Sequence, residues 1–290
     1  EEFEQRRRRF PHREELTIAQ FAEDWLEKHP RSESTMNTYT YAVGPFVAEF
    51  GDRRLTDLTK REVREWAIGV PFSQVRVART MMSDALRDDL IESNPFYGLR
   101  LTKGEGRRHQ RPPTYEEVME LVRLAAEQGH SYSEILAAAI EFGFGTLMRP
   151  GEICAFSRSA IDLDSSILNV EHGIDRFGRL RPPKRGSVGQ IAFTPTAKRA
   201  VRRLDEILPD ERERLLQNTR GEPLRTQTLE RWWREFRGFA AGHMRRADLK
   251  DMDLYLVTRH AGATFLSNEL GISREDIEAH DILFGARPIQ

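Results

Sequence analysis

Apolar residues recur at three- and four-residue spacing in four successive segments of the first third of the chain. This is the spacing of one face of an α-helix, and helices with one apolar face bury it by packing against each other. Thr17 and Thr59 stand where helix N-caps are expected, and Gly51 stands where a C-cap is expected. Residues 16–102 are therefore predicted to form a small helical bundle.

The helical pattern is interrupted by the segment LTKGEGRRHQRPPTYEE, which contains two glycines and two prolines. The same segment carries a basic cluster, which consists of Arg107, Arg108, His109 and Arg111. This composition is typical of a connection between domains, and 290 residues, 39% of them hydrophobic, suffice for two domains. Residues 103–114 are predicted to be a basic interdomain linker. Residues 1–15 are predicted to be a linker or the tail of an upstream segment.

The rest of the chain, residues 115–290, is predicted to form a second domain. Two helical patterns at about residues 115–127 and 133–144 are followed by the strand-like runs SILNVEHG, RFGRLRPP and VGQIAFTP. Glycine or proline separates these runs, which favours a small antiparallel sheet of three strands. Further helical patterns follow. The predicted fold class is mainly α with a small antiparallel sheet (α+β).

Composition limits the possible partners and compartments. The 45 Lys and Arg residues against 46 Asp and Glu leave a net charge of −1, so binding to a polyanion would depend on local basic patches. Cys154 is the single cysteine, which excludes a disulfide scaffold, and its apolar neighbours predict a small core residue. No apolar run is long enough to span a bilayer, and no signal-peptide pattern opens the chain. A soluble, cytoplasmic protein is predicted.

Three basic residues are the candidates for chemistry, because phosphate-loop, paired-histidine and nucleophile-elbow motifs are absent from the sequence. Arg149 precedes Pro150 at a predicted helix start, where Glu152 can cap the free amides and an anion is favoured. Lys184 lies in RPPKRGSVGQ, at the tip of a predicted hairpin. Arg259 lies on an otherwise apolar helix, where it needs a partner. Alternatively, Arg149 is an ordinary capping or salt-bridged residue and Lys184 a solvated turn lysine.

These motifs, in their order along the chain, resemble those of the tyrosine recombinase (phage integrase) family. The stretches are RPGEICAFSRSAIDLDSSILNV, the lysine in PPKRG, and TRHAGATFLSNELGIS, and they are most similar to integrases of actinobacterial mobile elements. The preceding LTIAQFAEDWL and RRLTDLTKREVREWA resemble the family's core-type DNA-binding domain. The resemblance covers about residues 16–273. It implies a helical core-binding domain and a catalytic domain that close around duplex DNA.

The resemblance also implies a reaction, site-specific recombination that integrates or excises a mobile element. A tyrosine hydroxyl attacks a DNA phosphodiester, and Arg149 and Arg259 would hold the non-bridging oxygens while Lys184 acts as general acid. Neither a cofactor nor a catalytic metal is implied. Besides Lys184, the residues expected to bind DNA are those of the linker, Arg107, Arg108 and Arg111. Other implied partners are further copies, up to a tetramer on DNA, and an accessory DNA-bending or directionality factor.

The sequence departs from the family pattern at two places. The histidine that usually stands three residues before the second arginine is replaced by Leu256, with Tyr255 one place earlier. No tyrosine follows Tyr255, so the nucleophile is not in this chain, which is expected to be cleavage-deficient. The family also has a Gly-His box between the second arginine and the nucleophile, and His280 is the candidate for its histidine.

The missing nucleophile leaves several explanations open. The chain could be cut or altered, residues could be missing from the numbering, or the protein could bind DNA without cleaving it. The main alternative function is therefore a non-catalytic DNA-binding or accessory protein on the same fold. An unrelated helical interaction module would leave the two arginines and the lysine unexplained.

Overall fold

The computed structural model describes most of the chain, namely residues 15–28, 32–99, 110–162, 167–175, 177–182, 189–192, 194–209, 211–269 and 271–273. The chain divides into two compact units, residues 1–109 and residues 110–290. The predicted fold class is confirmed, because α-helices dominate and the strands form small antiparallel sheets. None of the helices in these described ranges is long and apolar enough to cross a membrane.

The regular structure described for unit 1 is helical. Its described residues contain the helices α1 (Ile18–Lys28), α2 (Glu33–Phe50), α3 (Lys60–Ala67) and α4 (Phe72–Arg87). The predicted helix ends are confirmed: Thr17 Oγ1 accepts the Gln20 amide, and Gly51 closes α2 through its amide and the Val47 carbonyl. Thr59 forms a capping box with Glu62 at the start of α3. Local cap chemistry thus sets these helix boundaries.

Aromatic side chains fill the core of unit 1. Phe46 packs against Phe50, Trp66 and Phe96, with ring centroids between 5.1 and 5.6 Å apart. Phe46, Phe50 and Phe96 are buried and Trp66 is partly buried. Burying these rings removes several hundred Å² of apolar surface from water and offsets the ordering of the helices. The core of unit 1 therefore stabilises a helical scaffold of its own.

Unit 2 is built around one fully buried helix. Its described helices are α5 (Tyr115–Ala126), α6 (Ser133–Thr146), α7 (Pro150–Ala155), α8 (Pro195–Ile207), α9 (Thr226–His243) and α10 (Ala261–Glu269). Every residue of α6 except Glu134 is buried, as expected for a helix that is apolar on all sides. Glu141 is the acidic exception on its buried surface, and Arg199 of α8 neutralises it at 2.8 Å. Helix α6 is thus the element against which the others are positioned.

The strands of unit 2 differ from the predicted arrangement. The sheet has the order β1 (Ile161–Asp162), β2 (Ile167–Val170), β5 (Gly189–Ala192), with antiparallel neighbours. The run RFGRLRPP was predicted to be one of the three strands of this sheet, and this prediction is wrong. Its residues Leu180–Arg181 form β4, which pairs with β3 (Gly173–Ile174) in a separate two-stranded sheet. The sheet takes its third strand from the residues after α7.

Cys154 lies in the core of unit 2, as its apolar neighbours predict. It is 1% exposed, and burial raises the pKa of its thiol to about 12. Because the thiolate is the reactive form, we expect iodoacetamide at pH 8 to alkylate Cys154 in the folded protein at least about a hundredfold more slowly than in denaturant. Mass spectrometry of both samples measures this. Equal rates would contradict the buried position.

Candidate functional site

Arg149 occupies the N-cap position of α7, and Glu152 holds it through both its backbone and its side chain. The Arg149 amide donates to Glu152 Oε2 at 2.8 Å, and the guanidinium Nη1 donates to Oε1 at 2.9 Å. The Glu152 side chain is 4% exposed and that of Arg149 is 22% exposed. The predicted capping role of Glu152 is confirmed. The same carboxylate orients the guanidinium while leaving part of it open to a ligand.

Helix α7 is only six residues long, so its position depends on contacts at both ends. At its C-terminal end, the Arg214 guanidinium donates to the Ala155 carbonyl. At its N-terminal end, Gly151 lies against β3, and a Cβ there would come within 3.0 Å of the Ile174 carbonyl oxygen. These contacts fix the helix start from which Arg149 projects.

Arg259 lies in a single π-helical turn, Leu256–His260, that leads into α10. It is 6% exposed, and its Nη1 donates to the Leu147 carbonyl at 2.7 Å. Leu147 ends α6 in the left-handed conformation, with φ of 57°, two residues before Arg149. The partner that Arg259 requires near a buried face is thus the backbone beside Arg149. The fold brings the two predicted arginines together.

The pKa of Arg259 also reflects how close Arg259 lies to Arg149. Burial lowers the pKa of Arg259, and the positive charge of Arg149 lowers it further, whereas Tyr255 and Glu152 act in the opposite direction. The guanidinium remains charged, because an arginine is not deprotonated in proteins. Two guanidiniums, each with a positive charge, lie beside the carboxylate of Glu152. We call Arg149 and Arg259 the two-arginine site, and its charge favours an anion.

Two glycines allow the π turn to approach α6 this closely, and the sequence did not single them out. A Cβ on Gly262 would lie 2.5 Å from the Phe144 carbonyl oxygen and 2.5 Å from Leu147 Cδ2. A Cβ on Gly143 would lie 2.7 Å from Ile153 Cδ1 and 3.0 Å from Thr258. The position of Gly262, two residues after the Arg-His pair on an otherwise apolar helix, was the signal in the sequence that could have indicated this close packing. Larger residues at either position would push Arg259 away from Arg149.

The position three residues before Arg259 holds no polar group. Leu256 is half-buried and packs against the hydrophobic core of unit 2. Tyr255 instead lies beside Arg259. The Arg259 Cζ atom is 6.0 Å from the centroid of the Tyr255 ring. His260 meets the same ring edge to face, with centroids 4.9 Å apart. Tyr255 is thus an aromatic residue beside Arg259.

Most of the other predicted site residues are not described by the structure. Lys184, Arg107, Arg108 and His280 lie outside the described residues. The described strands on either side of Lys184, β4 and β5, pair in different sheets, and the tip of the predicted hairpin lies outside the described residues.

Arg111, predicted to bind DNA, forms an ion pair with Glu117 at 2.7 Å, and Arg246 contacts the same carboxylate at 2.6 Å. The Arg111 carbonyl also accepts a hydrogen bond from Arg246. This network fixes the start of unit 2 against the segment after α9. Arg111 therefore has a structural partner, and its side chain is still 58% exposed.

Known proteins resemble the chain both in sequence and in fold. No family model matches it. A Mycobacterium tuberculosis protein named "Putative prophage phiRv2 integrase" is 28% identical over 266 residues, which are 87% of this chain and 67% of the relative.

Two solved structures share the fold. The Tn1549 transposon integrase in complex with a circular intermediate DNA matches with a TM-score of 0.75 and 17% identity, over 94% of this chain and 92% of that one. A lambda integrase tetramer bound to a Holliday junction matches with a TM-score of 0.68 and 20% identity, over 98% and 82%. The resemblance of this chain to the tyrosine recombinase, or phage integrase, family is therefore confirmed, in sequence by the prophage integrase and in fold by the integrase structures.

Proposed function

We infer that the chain acts in site-specific DNA recombination, the integration or excision of a mobile element, and that its two-arginine site binds the phosphodiester to be cleaved. The observation that carries this proposal is the hydrogen bond from Arg259 to the Leu147 carbonyl. It places a buried cation beside Arg149, although the two arginines are far apart in sequence. Two guanidiniums at one place favour an anionic ligand that accepts hydrogen bonds from both.

The chemistry of strand cleavage fits two forked guanidiniums. A tyrosine oxygen forms a bond to phosphorus while the bond to the 5′-oxygen of the DNA breaks, and negative charge gathers on the non-bridging oxygens. Arg149 and Arg259 would hold these oxygens, and Lys184 would give the leaving oxygen its proton. The phosphotyrosyl bond conserves the energy for rejoining the strands. The integrases with this fold that were solved on DNA, including a tetramer on a Holliday junction, support DNA as the partner and an oligomer as the active form.

The residues of this chain support binding more strongly than cleavage. No tyrosine follows Tyr255 in the 290 residues, and the family nucleophile comes after the second arginine. We therefore propose that the chain binds its DNA site and forms no covalent adduct.

The test begins with duplexes enriched from a random pool by the 290-residue chain. Arg149→Ala and Arg259→Ala are each expected to weaken binding to the enriched duplex about 10- to 100-fold, because each removes charge-assisted hydrogen bonds to phosphate. The slope of log affinity against log salt should fall by about one for each. Arg123→Ala is the control, since this exposed arginine already pairs with Glu120 and Glu127. Equal affinities for all four proteins would overturn the proposed site.

The same duplex, nicked beside successive phosphates, tests cleavage. A nick lets the short product diffuse away and traps any covalent intermediate, which a denaturing gel then separates from free DNA. We expect tight binding and no adduct. An adduct would show that a residue within this chain is a nucleophile, and it would contradict the proposed cleavage deficiency.

A further inference from the structure

The same pair of contacts recurs at three helix starts of this chain. In each helix, the third residue is a glutamate whose Oε2 accepts the backbone amide of the N-cap residue and whose Oε1 accepts an arginine guanidinium. The pairs are Glu62 with Arg53, Glu117 with Arg111, and Glu152 with Arg149. In the last pair, the glutamate orients an arginine of the two-arginine site. The same geometry at the start of α5 indicates that Glu117 orients Arg111.

A second arginine holds Glu117 in place. Arg246, whose side chain is only 10% exposed, donates to Glu117 Oε2 at 2.6 Å and to Asp248 Oδ1 at 3.2 Å. It also donates to the backbone carbonyl of Arg111. Arg246 thus fixes both the carboxylate that binds the Arg111 side chain and the backbone from which this side chain projects.

The backbone between Arg111 and α5 has little freedom of its own. Arg111 is followed by two prolines and then by Thr114, the N-cap residue of α5. Proline fixes its own φ and keeps the residue before it out of the helical region. The second of these prolines, Pro113, is buried. The side chain of Arg111 therefore projects from a stiff segment.

The contact with Glu117 leaves much of the Arg111 guanidinium open to a ligand. The side chain is 58% exposed, and Nη2 donates to Glu117 Oε1 at 2.7 Å. A guanidinium has five N–H donors in a planar fork that matches a phosphate, and Glu117 takes only part of them. A long side chain that is already held in one orientation loses less rotamer freedom when it binds.

We propose that Arg111 binds a phosphate of the DNA backbone and that Glu117 and Arg246 are the positioning residues that hold its guanidinium for this contact. This rests on the proposed function, because it takes DNA to be the ligand of the chain. The positive charge of Arg246 offsets the negative charge of Glu117. The carboxylate can therefore orient Arg111 with little repulsion of a phosphate nearby.

The first test uses a variant that keeps the charge. Arg246→Lys loses the fork that reaches both Glu117 and the Arg111 carbonyl. We expect it to weaken binding to the enriched duplex about two- to fivefold, and Arg111→Ala to weaken it about three- to tenfold. In the Arg111→Ala background, Arg246→Lys should have almost no effect, because the side chain that it positions is gone. Arg123→Lys, on the surface of α5, is the control.

Neutral methylphosphonates, each replacing one phosphate of the enriched duplex, locate the contact. At one position the replacement should weaken binding of the parent and have little effect on Arg111→Ala. With the methylphosphonate at that position, the effect of Arg246→Lys should disappear as well. If Arg246→Lys binds every duplex as well as the parent, or weakens binding to all of them alike, Arg246 does not position a phosphate ligand and the proposal is wrong.

Removing the carboxylate tests the role of Glu117. Glu117→Gln keeps the capping box, in which glutamine also serves, and removes the charge that orients Arg111. Glu116→Gln, the matched control, removes the same charge from the adjacent exposed residue of α5. We expect Glu117→Gln to bind the duplex about two- to fivefold more weakly than Glu116→Gln. Equal binding would mean that Glu117 does not orient Arg111, and tighter binding that it competes with the phosphate. Either result overturns the proposal.

The phosphate replacements also separate this proposal from the proposed function. If no phosphate couples to Arg111 while Arg149 and Arg259 each couple to one, Arg111 is not a phosphate ligand and the proposed function stands. If no phosphate couples to Arg149 or Arg259, the proposed function itself fails.

Discussion

Replacing Gly262 by alanine is expected to lower the free energy of unfolding by about 3 kcal/mol, the upper end of the usual cost of overpacking. The added Cβ would lie 2.5 Å from the Phe144 carbonyl oxygen and 2.5 Å from a Leu147 methyl group. The leucine side chain can rotate away, but the carbonyl belongs to the buried helix α6 and cannot move without cost. The start of α10 must therefore shift, and the contact between Arg259 and the Leu147 carbonyl lengthens.

Denaturant unfolding measures the stability, and titration with the enriched duplex measures the site. Gly242→Ala is the matched control, because no atom lies within 4 Å of the Cβ it would add in α9. It should stabilise the protein by up to about 1 kcal/mol through helix propensity. Gly262→Ala should also bind the enriched duplex more weakly than the parent, by most of the loss expected for Arg259→Ala. Unchanged stability of Gly262→Ala would show that α6 and α10 are not in close contact.

Local signals in the sequence were sufficient for the helices of this fold. Thr17, Thr59 and Gly51 act within one helical turn of themselves, so the residues that decide these ends are neighbours in the sequence. The pattern of strands was less informative. Strands of two residues, such as Leu180–Arg181, have too few side chains to specify a partner, and pairing then depends on the surrounding packing.

The two-arginine site was predictable as a set of residues but not as a geometry. The resemblance identified Arg149 and Arg259. The carbonyl that holds Arg259 near Arg149 belongs to Leu147, and no local sequence motif predicts the left-handed conformation of Leu147. The π turn is equally invisible, because it depends on how closely α6 and α10 pack. Counting three residues back from Arg259 therefore led to Leu256, and the structure brings Tyr255 to the site instead.

Charge in the linker illustrates a further limit of sequence patterns. Arg111 belongs to a basic cluster in the sequence, and a cluster of arginines predicts contacts with phosphates. In the fold, Glu117 and Arg246 lie beside it, and only Glu117 is near in sequence. The pairing of an arginine thus depends on long-range contacts that a local charge count leaves out.

A second ion network supports the scaffold around α7. Asp205 of α8 accepts two hydrogen bonds from Arg158, each at 2.9 Å, and another from Arg212. The Arg212 side chain is fully buried. It also donates to the Pro209 and Leu215 carbonyls, at 2.9 and 3.2 Å. The segment it holds leads to Arg214, which caps the C-terminal end of α7.

Asp205→Asn is therefore expected to lower the free energy of unfolding by about 3 kcal/mol, because it leaves the buried charge of Arg212 without its counter-ion. Glu120→Gln is the control. It also removes a carboxylate that pairs with an arginine, but on the surface, and it should change stability by less than about 1 kcal/mol. Unfolding in denaturant at neutral pH measures both variants, and equal small effects would contradict a buried network.

The pH dependence of stability, compared between the parent protein and Asp205→Asn, tests the role of the Asp205 charge. Burial alone would raise the pKa of Asp205, but hydrogen bonds from Arg158 and Arg212, together with their charges, outweigh it and hold the pKa below its usual value. A lowered pKa in the folded state means that the carboxylate stabilises the fold at pH values above its unfolded pKa of about 4. This contribution is lost as the pH falls through the lower, folded pKa. The stability difference between the parent and Asp205→Asn should therefore stay constant from pH 8 to about pH 5 and shrink below about pH 4. A difference that persists unchanged at pH 3 would mean that the amide disturbs packing and that the charge of Asp205 contributes little.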